Sequence, residues 1–174
     1  MIVLTGKTCS GKSTVQKQLM DYGYRKVVTY TTRPQRPHEI DGEDYHFVTD
    51  RQFADMYHKG YFAETDSYIT ESGEWWYGSD IKDYSNDKYK VIVLTPNGIK
   101  MVREKFPWVD LKVFYLDTPE DVIRQRLKDR GDNPQEAIRR MKADNNDFAD
   151  IYSNTDFVVD GCDNVCERIL SKLV

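Results

Sequence analysis

Apolar side chains come in two rhythms along this chain. Consecutive apolar, often β-branched positions at 2–5, 27–32, 91–94, 113–116 and 157–159 predict short strands, most of them buried on both faces. Between them the rhythm is helical. Val15 and Leu19 share one face of a helix at 12–20, and Val165, Ile169 and Leu173 share one face of a closing helix at 164–173. Residues 97–105 predict a crossover helix. Residues 119–130 and 134–148 predict two more, both heavily charged and separated by Gly131 and Asp132. Strand and helix in alternation predict an α/β fold, a parallel sheet with right-handed crossovers and flanking helices.

Residues 38–80 break that rhythm. Pro34 and Pro37 first turn the chain into loop. The segment beyond them is rich in Tyr, Asp, Glu and Gly, with strand-like pieces at 45–48, 68–70 and 75–77 around a helix at 51–59. This is the pattern of a small α+β insert. No internal repeat or low-complexity linker is present.

One stretch carries chemistry in plain view. Gly6-Lys7-Thr8-Cys9-Ser10-Gly11-Lys12-Ser13 fits G-x-x-x-x-G-K-[ST], with a predicted strand before it and a predicted helix after it. The glycines let successive backbone N–H groups turn inward toward phosphate oxygens, and the helix start adds the positive end of its dipole. Lys12 is expected to reach the β- and γ-phosphates, and the Ser13 hydroxyl to ligate Mg²⁺ accompanying ATP. The expected ATP contacts are Gly6, Thr8, Cys9, Ser10, Gly11, Lys12, Ser13 and Thr14. Cys9 is either a thiol activated by neighbouring cations or a small loop residue acting through its backbone. Cys162 and Cys166 are four apart with no His at ligand spacing, and read as packing or surface positions.

Composition narrows the setting. The 174 residues suffice for one domain carrying small inserted pieces. Lys+Arg 25 against Asp+Glu 29 gives a net charge of −4, so no broad basic face for nucleic acid is expected and an anion must be gripped locally. Three cysteines make no disulfide framework. No apolar run approaches the roughly 20 residues of a membrane helix, and no signal-peptide core follows Met1, so a cytoplasmic setting is expected. Oligomeric state is left open.

A second anion grip lies in the proline-stiffened loop. Arg33 and Arg36 are three apart, and arginine binds phosphate bidentately through its planar fork; Tyr45 can add a neutral donor. The run Thr31-Thr32-Arg33, Arg36, Glu39, Gly42, Asp44-Tyr45, Phe47-Val48 resembles the signature of guanylate kinases, T-T-R-x-x-R-x-x-E-x-x-G-x-D-Y-x-F-V. The likeness continues through Gly60-Tyr61-Phe62-Ala63-Glu64, Tyr77-Gly78-Ser79, Arg126 to Gly131, Arg140-Met141 and Phe157 to Asp160.

The resemblance implies a fold and roles. A P-loop core would comprise 1–32, 81–118 and 149–174, a monophosphate-binding insert 33–80, and a mobile lid 119–148. Arg33, Arg36, Tyr45 and Tyr77 would bind the acceptor phosphate. Thr29 would contact the guanine O6, and Glu64 would accept from guanine N1–H and the 2-amino group, with Gly78 and Ser79 helping to hold the base. Arg126, Arg130 and Arg140 would neutralise the transferring phosphoryl group, and Asp160 would belong to the ATP side. The implied activity is phosphoryl transfer from ATP, with Mg²⁺, to GMP or dGMP.

The chain departs from the family on one strand. Val93 and Thr95 stand where guanylate kinases usually carry acids. Thr95, placed in the acceptor pocket by that alignment, supplies a hydrogen bond but no charge. Asp117 is either a substitute acid or a helix cap. Trp75 and Trp76, in the segment 71–76, either pack the insert or stack on a base. Two alternatives accompany this reading. One is a related kinase with another acceptor, a different (deoxy)nucleoside monophosphate or ribose 1,5-bisphosphate. The other is a non-catalytic binding module, against which the intact phosphate loop argues.

Overall fold

The structure, a computed structural model, describes residues 1–70 and 73–173; Glu71 and Ser72, at the start of the tryptophan segment, lie outside the described residues. The chain forms two compact units. The first holds Met1–Lys26, Asp87–Pro96 and Asp110–Val174, and the second Val27–Asn86 and Asn97–Val109.

The first unit is built on a five-stranded parallel sheet. Its strands are β1 (Ile2–Thr5), β2 (Arg25–Lys26), β7 (Lys90–Val93), β8 (Lys112–Asp117) and β9 (Phe157–Asp160), in the order β2-β7-β1-β8-β9. Every residue of β1 is buried. That is why its sequence is continuously apolar rather than alternating: both faces are covered. Val15 and Leu19 of α1 (Lys12–Asp21) and Ile169 of α6 (Val165–Ser171) join Ile2, Leu4, Val91, Phe114 and Leu116 in one core cluster. The helices α4 (Glu120–Asp129) and α5 (Pro134–Asp147) meet through Ile123, Leu127 and Met141. In this order β1 has later strands on both sides, so the connections diverge there. The crevice beyond the carboxyl end of such a strand is where open α/β sheets bind ligands.

The second unit carries a four-stranded mixed sheet. Its order is β4 (His46–Phe47), β3 (Tyr30–Thr31), β6 (Gly73–Asp80), β5 (Phe62–Thr70). The helix α2 (Asp50–His58) starts at a reciprocal capping box, Thr49 with Gln52, and buries Phe53. Most of α3 (Pro96–Lys105) clusters with this unit, and its Ile99 and Val102 are fully buried.

Two sequence expectations change. The strand predicted at 27–32 shrinks to Tyr30–Thr31, which pairs with β4 and β6, and a separate strand just before it, Arg25–Lys26, pairs with Lys90–Val91 in the parallel sheet. A continuous β-branched run reports strand propensity, not which sheet it joins. Thr31 settles the matter through its side chain, donating to the Trp76 carbonyl at 3.0 Å and accepting the Arg33 amide at 3.1 Å. The short pieces predicted at 68–70 and 75–77 are the ends of a long hairpin, nine and eight residues. Its Asp, Glu and Gly content hides it from propensity, and cross-strand pairing overrides that.

Candidate active site

In the first unit the phosphate loop follows β1. Gly11 has φ +96°, a left-handed conformation that lets the chain turn into α1. Cys9 adopts φ +56°, unusual for a residue with a side chain. The Lys12 ammonium folds back over the loop, donating to the carbonyls of Gly6 at 2.6 Å and Lys7 at 2.8 Å and to Ser10 Oγ at 3.3 Å. Burial pushes Lys12 down to about 8, and Asp144 works against that. No side chain caps the start of α1, and its first turn carries no acid.

A cavity of about 530 Å³ opens on this loop, with Gly11, Lys12, Ser13, Thr14, Arg126 and Arg130 among its walls. Cys9, Ser10, Gly161 and Cys162 also line it. Arg126 bridges two wall segments, donating to the Cys9 carbonyl at 3.1 Å and the Gly161 carbonyl at 3.2 Å. Arg130 is held by Asp132 at 2.6 Å. Arg140 bonds Glu136 at 2.8 Å and Asp132 at 3.2 Å. Asp132 therefore draws both arginines to one point. Gly6, Thr8, Arg140 and Asp160 stand outside the cavity walls. The Asp160 carboxylate accepts the Cys162 amide at 3.0 Å and faces Arg168 at 3.5 Å. Burial pushes the Cys9 thiol up, opposed by Arg130, so the thiol rather than the thiolate is its resting form.

Sequence reasoning named the cations here and missed the acids placed among them. Glu136 was legible, lying three and four residues before Arg139 and Arg140. Asp144 was not. It is nearly buried and accepts the Thr8 amide at 2.7 Å across 136 positions of sequence. Asp117 caps no helix: α4 begins after Pro119 without a side-chain cap, and Asp117 accepts the Tyr152 hydroxyl at 3.2 Å.

Ser13 offers a hydroxyl on the cavity wall beside Lys12. Among the described residues no cluster of three or more His, Cys, Asp or Glu could hold a metal by itself. That donor set fits a hard cation arriving with nucleotide phosphates and keeping most of its waters.

The second unit gathers the residues expected on the acceptor side, all but Thr95. The Arg33 guanidinium is 6% exposed and lies over the rings of Tyr45 and Phe47, 5.5 and 5.6 Å from their centres. It donates to Glu39 at 2.7 Å and to the Pro34 carbonyl at 2.7 Å. Glu39 also accepts the Arg36 amide at 2.9 Å, with the Arg36 guanidinium at 4.0 Å. Burial alone would raise the Glu39 carboxyl, but Arg33 and Arg36 outweigh it and hold it below the usual carboxylate range. Tyr45 packs edge-on to Tyr77 at 6.1 Å, and burial pushes its hydroxyl up to about 12, so it stays a neutral donor.

Two residues further along β6 the chemistry changes. Tyr77 and Ser79 share one face of the strand, about 7 Å apart at the usual strand rise. A bulge in the pairing between Phe62 and Glu64 sets Glu64 directly opposite Ser79. Ser79 donates to Glu64 Oε1 at 2.6 Å and contacts the Tyr84 hydroxyl at 2.7 Å, and all three residues are buried. Burial pushes Glu64 up to about 7, with Asp66 adding to that and Ser79 opposing it. Gly78 faces the other way, where an added Cβ would stand 2.9 Å from the Phe62 ring and 3.2 Å from Phe53. Thr29 accepts the His46 amide through its carbonyl at 2.9 Å. Thr95 belongs to the first unit, two residues past β7. Trp76 meets the Phe53 ring at 6.1 Å, which favours packing within the insert.

The sequence profile of guanylate kinases matches residues 1–173. The chain belongs to the guanylate kinase family. Curated guanylate kinases agree. That of Lactiplantibacillus plantarum is 32% identical over 168 residues, covering 91% of this chain and 78% of its own. That of Nostoc sp. is 30% identical over 146 residues, covering 80% and 71%. The crystal structure of guanylate kinase from Anaplasma phagocytophilum shares the fold, with a TM-score of 0.75 at 21% identity over 99% of this chain and 82% of that one. A gluconokinase from Sinorhizobium meliloti shares it more distantly, at a TM-score of 0.56 and 18% identity over 99% of this chain and 90% of that one. The α/β fold expected for this family is therefore present. No helix among the described residues is long and apolar enough to cross a membrane.

Proposed function

We propose that this family member transfers the γ-phosphoryl group of ATP to GMP or dGMP, giving ADP and the nucleoside diphosphate. One observation carries the acceptor reading: the buried Glu64 carboxylate beside Ser79, on a bulge of β5. Guanine offers two adjacent donors, N1–H and the 2-amino group, and a carboxylate accepts both. Thr29 and Gly78 flank that site in the same proposal.

Arg33, Arg36, Tyr45 and Tyr77 would bind the acceptor phosphate. Glu39 already holds the Arg33 guanidinium in one plane, so an incoming phosphate meets an oriented fork. On the donor side, residues 6–14 would cradle the ATP phosphates through backbone N–H groups. Lys12 would exchange its loop carbonyls for phosphate oxygens and regain its full charge. The acceptor oxygen is already anionic, so no protein base is required. Arg126, Arg130 and Arg140 would neutralise the charge spreading over the transferred group, the last two after leaving Asp132. Ser13 would hold Mg²⁺ with the phosphates, and the bound ion would offset negative charge on them. Asp160 would stay at the edge of this donor site, and Thr95 would lend one hydrogen bond to the acceptor. We place this chemistry in a reducing, cytoplasmic setting.

The test is ADP release from ATP and Mg²⁺ with GMP, dGMP, AMP, CMP, UMP, dTMP or ribose 1,5-bisphosphate added singly. Turnover dominated by GMP and dGMP supports the reading. Turnover with another acceptor would move specificity to the strand where Val93 and Thr95 replace acids. ATP binding with no turnover on any acceptor would identify a non-catalytic module.

A further inference from the structure

Tyr84 belongs to no motif, yet it touches the candidate base site. It comes after the single turn Ile81–Asp83 that succeeds β6, and is 7% exposed. Its ring lies flat on Phe106, with centres 5.2 Å apart and planes 4° from parallel, and its hydroxyl sits 2.7 Å from Ser79 Oγ.

Hydrogen counting fixes the direction of this contact. A serine hydroxyl has one hydrogen, and Ser79 spends it on Glu64. Tyr84 must therefore be the donor to Ser79. The chain runs from Tyr84 to Ser79 to Glu64, and each member keeps the next one's hydrogen pointing the same way. Ser79 then has only a lone pair to offer a ligand, and Glu64 has only carboxylate lone pairs. The wall is acceptor-only. It suits a base edge made of adjacent donors and repels one that presents a ring-nitrogen acceptor. If Glu64 binds a proton, the chain can reverse, with Glu64 donating to Ser79 and Ser79 to Tyr84.

We propose that Tyr84 is a positioning residue for base recognition: its hydroxyl fixes the polarity of Ser79 and so keeps Glu64 an acceptor. The proposal rests on the reading of Glu64 as the guanine-binding carboxylate. The charges around Glu64 do not do this work instead. Asp66 on its own strand favours its protonation, and Asp83 bears on Tyr84, whose hydroxyl it helps to keep neutral. From α3, Glu104 and Lys105 share with it the walls of a cavity of about 450 Å³ and are of opposite sign. The chain of hydroxyls is the ordered donor that Glu64 has, apart from the Ser79 amide.

Tyr84→Phe keeps the stack on Phe106 and removes one oxygen. The net worth of a hydrogen bond is comparable to one unit of pKa, a tenfold change in the protonation equilibrium. Losing the hydroxyl should raise Glu64 by roughly one unit, from near 7 to near 8. The measurement is the GMP dissociation constant of wild type and variant from pH 6.5 to 9. The phosphate of GMP titrates alike in both, so the ratio isolates the protein. The expected ratio is roughly eightfold at pH 6.5, falling to within about 1.5-fold at pH 9, where Glu64 is ionised in both. Phe106→Leu loosens the ring and leaves the hydroxyl, and its ratio should be flat with pH. A flat ratio for Tyr84→Phe, or the same slope for Phe106→Leu, would overturn the proposal while wild type still binds GMP. Wild type that fails to bind GMP at every pH would overturn the reading of Glu64 itself, and the proposal with it.

Discussion

Glu64→Gln separates what the acceptor site does for function from what it costs in stability. Glu64 is 5% exposed and its carboxyl is pushed up to about 7, against 4.5 when unperturbed. A carboxyl raised on folding leaves stability intact below about pH 4.5. It removes stability as pH climbs toward 7, because the folded state then gives up a proton it holds tightly. Moving the carboxyl from 4.5 to about 7, at about 1.4 kcal/mol per pKa unit, is a penalty of roughly 3–4 kcal/mol above pH 7, with the Ser79 bond to the carboxylate already included in it. Glutamine is never charged, so the variant escapes it. The unliganded variant should therefore be more stable than wild type by about 3 kcal/mol at pH 8, or roughly 9 °C in Tm, and equal to it near pH 4.5. Function should move the other way. One acceptor lost and one donor turned against a guanine donor should cost about 3–4 kcal/mol, a fall of 10²–10³ in kcat/KM for GMP. ATP affinity should not change. Paired thermal melts at pH 4.5 and 8, with steady-state kinetics at pH 8, test both halves. A variant less stable than wild type at pH 8, or one with GMP kinetics within threefold, would refute the reasoning.

Three further outcomes rest on the same geometry. Lys12, held down to about 8 by its burial in the loop, should take up protons when ATP restores its charge. Calorimetry in buffers of different ionisation enthalpy should read about half a proton per ATP at pH 8 and less at pH 6.5. Glu39→Gln breaks the buried pair with Arg33 and should destabilise the fold by about 2 kcal/mol, while raising KM for GMP about tenfold with little change in KM for ATP. Because Glu39 is held below the usual range, the stability difference between variant and wild type should shrink as pH falls below about 4.5. Gly78→Ala would drive a methyl to 2.9 Å from the Phe62 ring and should cost about 1–3 kcal/mol in urea unfolding, with unchanged ATP binding.

The parts of this protein legible in its sequence are those written in local chemistry. The phosphate loop announced itself, because its glycines, Lys12 and Ser13 must stand at fixed spacing. So did Arg33 and Arg36, and so did β1, β7 and β8, whose burial on both faces forces unbroken apolar runs. The hairpin of β5 and β6 was half hidden, since polar strands held by pairing look like loop. The bulge that turns Glu64 toward Ser79 has no sequence mark at all. The acids around the phosphate loop and Arg140 split along the same line. Glu136 lies within one helical turn of Arg140 and is readable. Asp144 meets Thr8 only because the chain folds. Tyr84 is one tyrosine among twelve, and only its 2.7 Å contact with Ser79 singles it out.

The central claim is that one chain couples a phosphate loop for ATP to a carboxylate site for guanine. Its most direct test is to quantify both products of a single reaction with ATP, Mg²⁺ and GMP by chromatography. Equal amounts of ADP and GDP, with at least a hundredfold lower kcat/KM when AMP replaces GMP, are the predicted result. ADP without GDP, or AMP used as well as GMP, would contradict it.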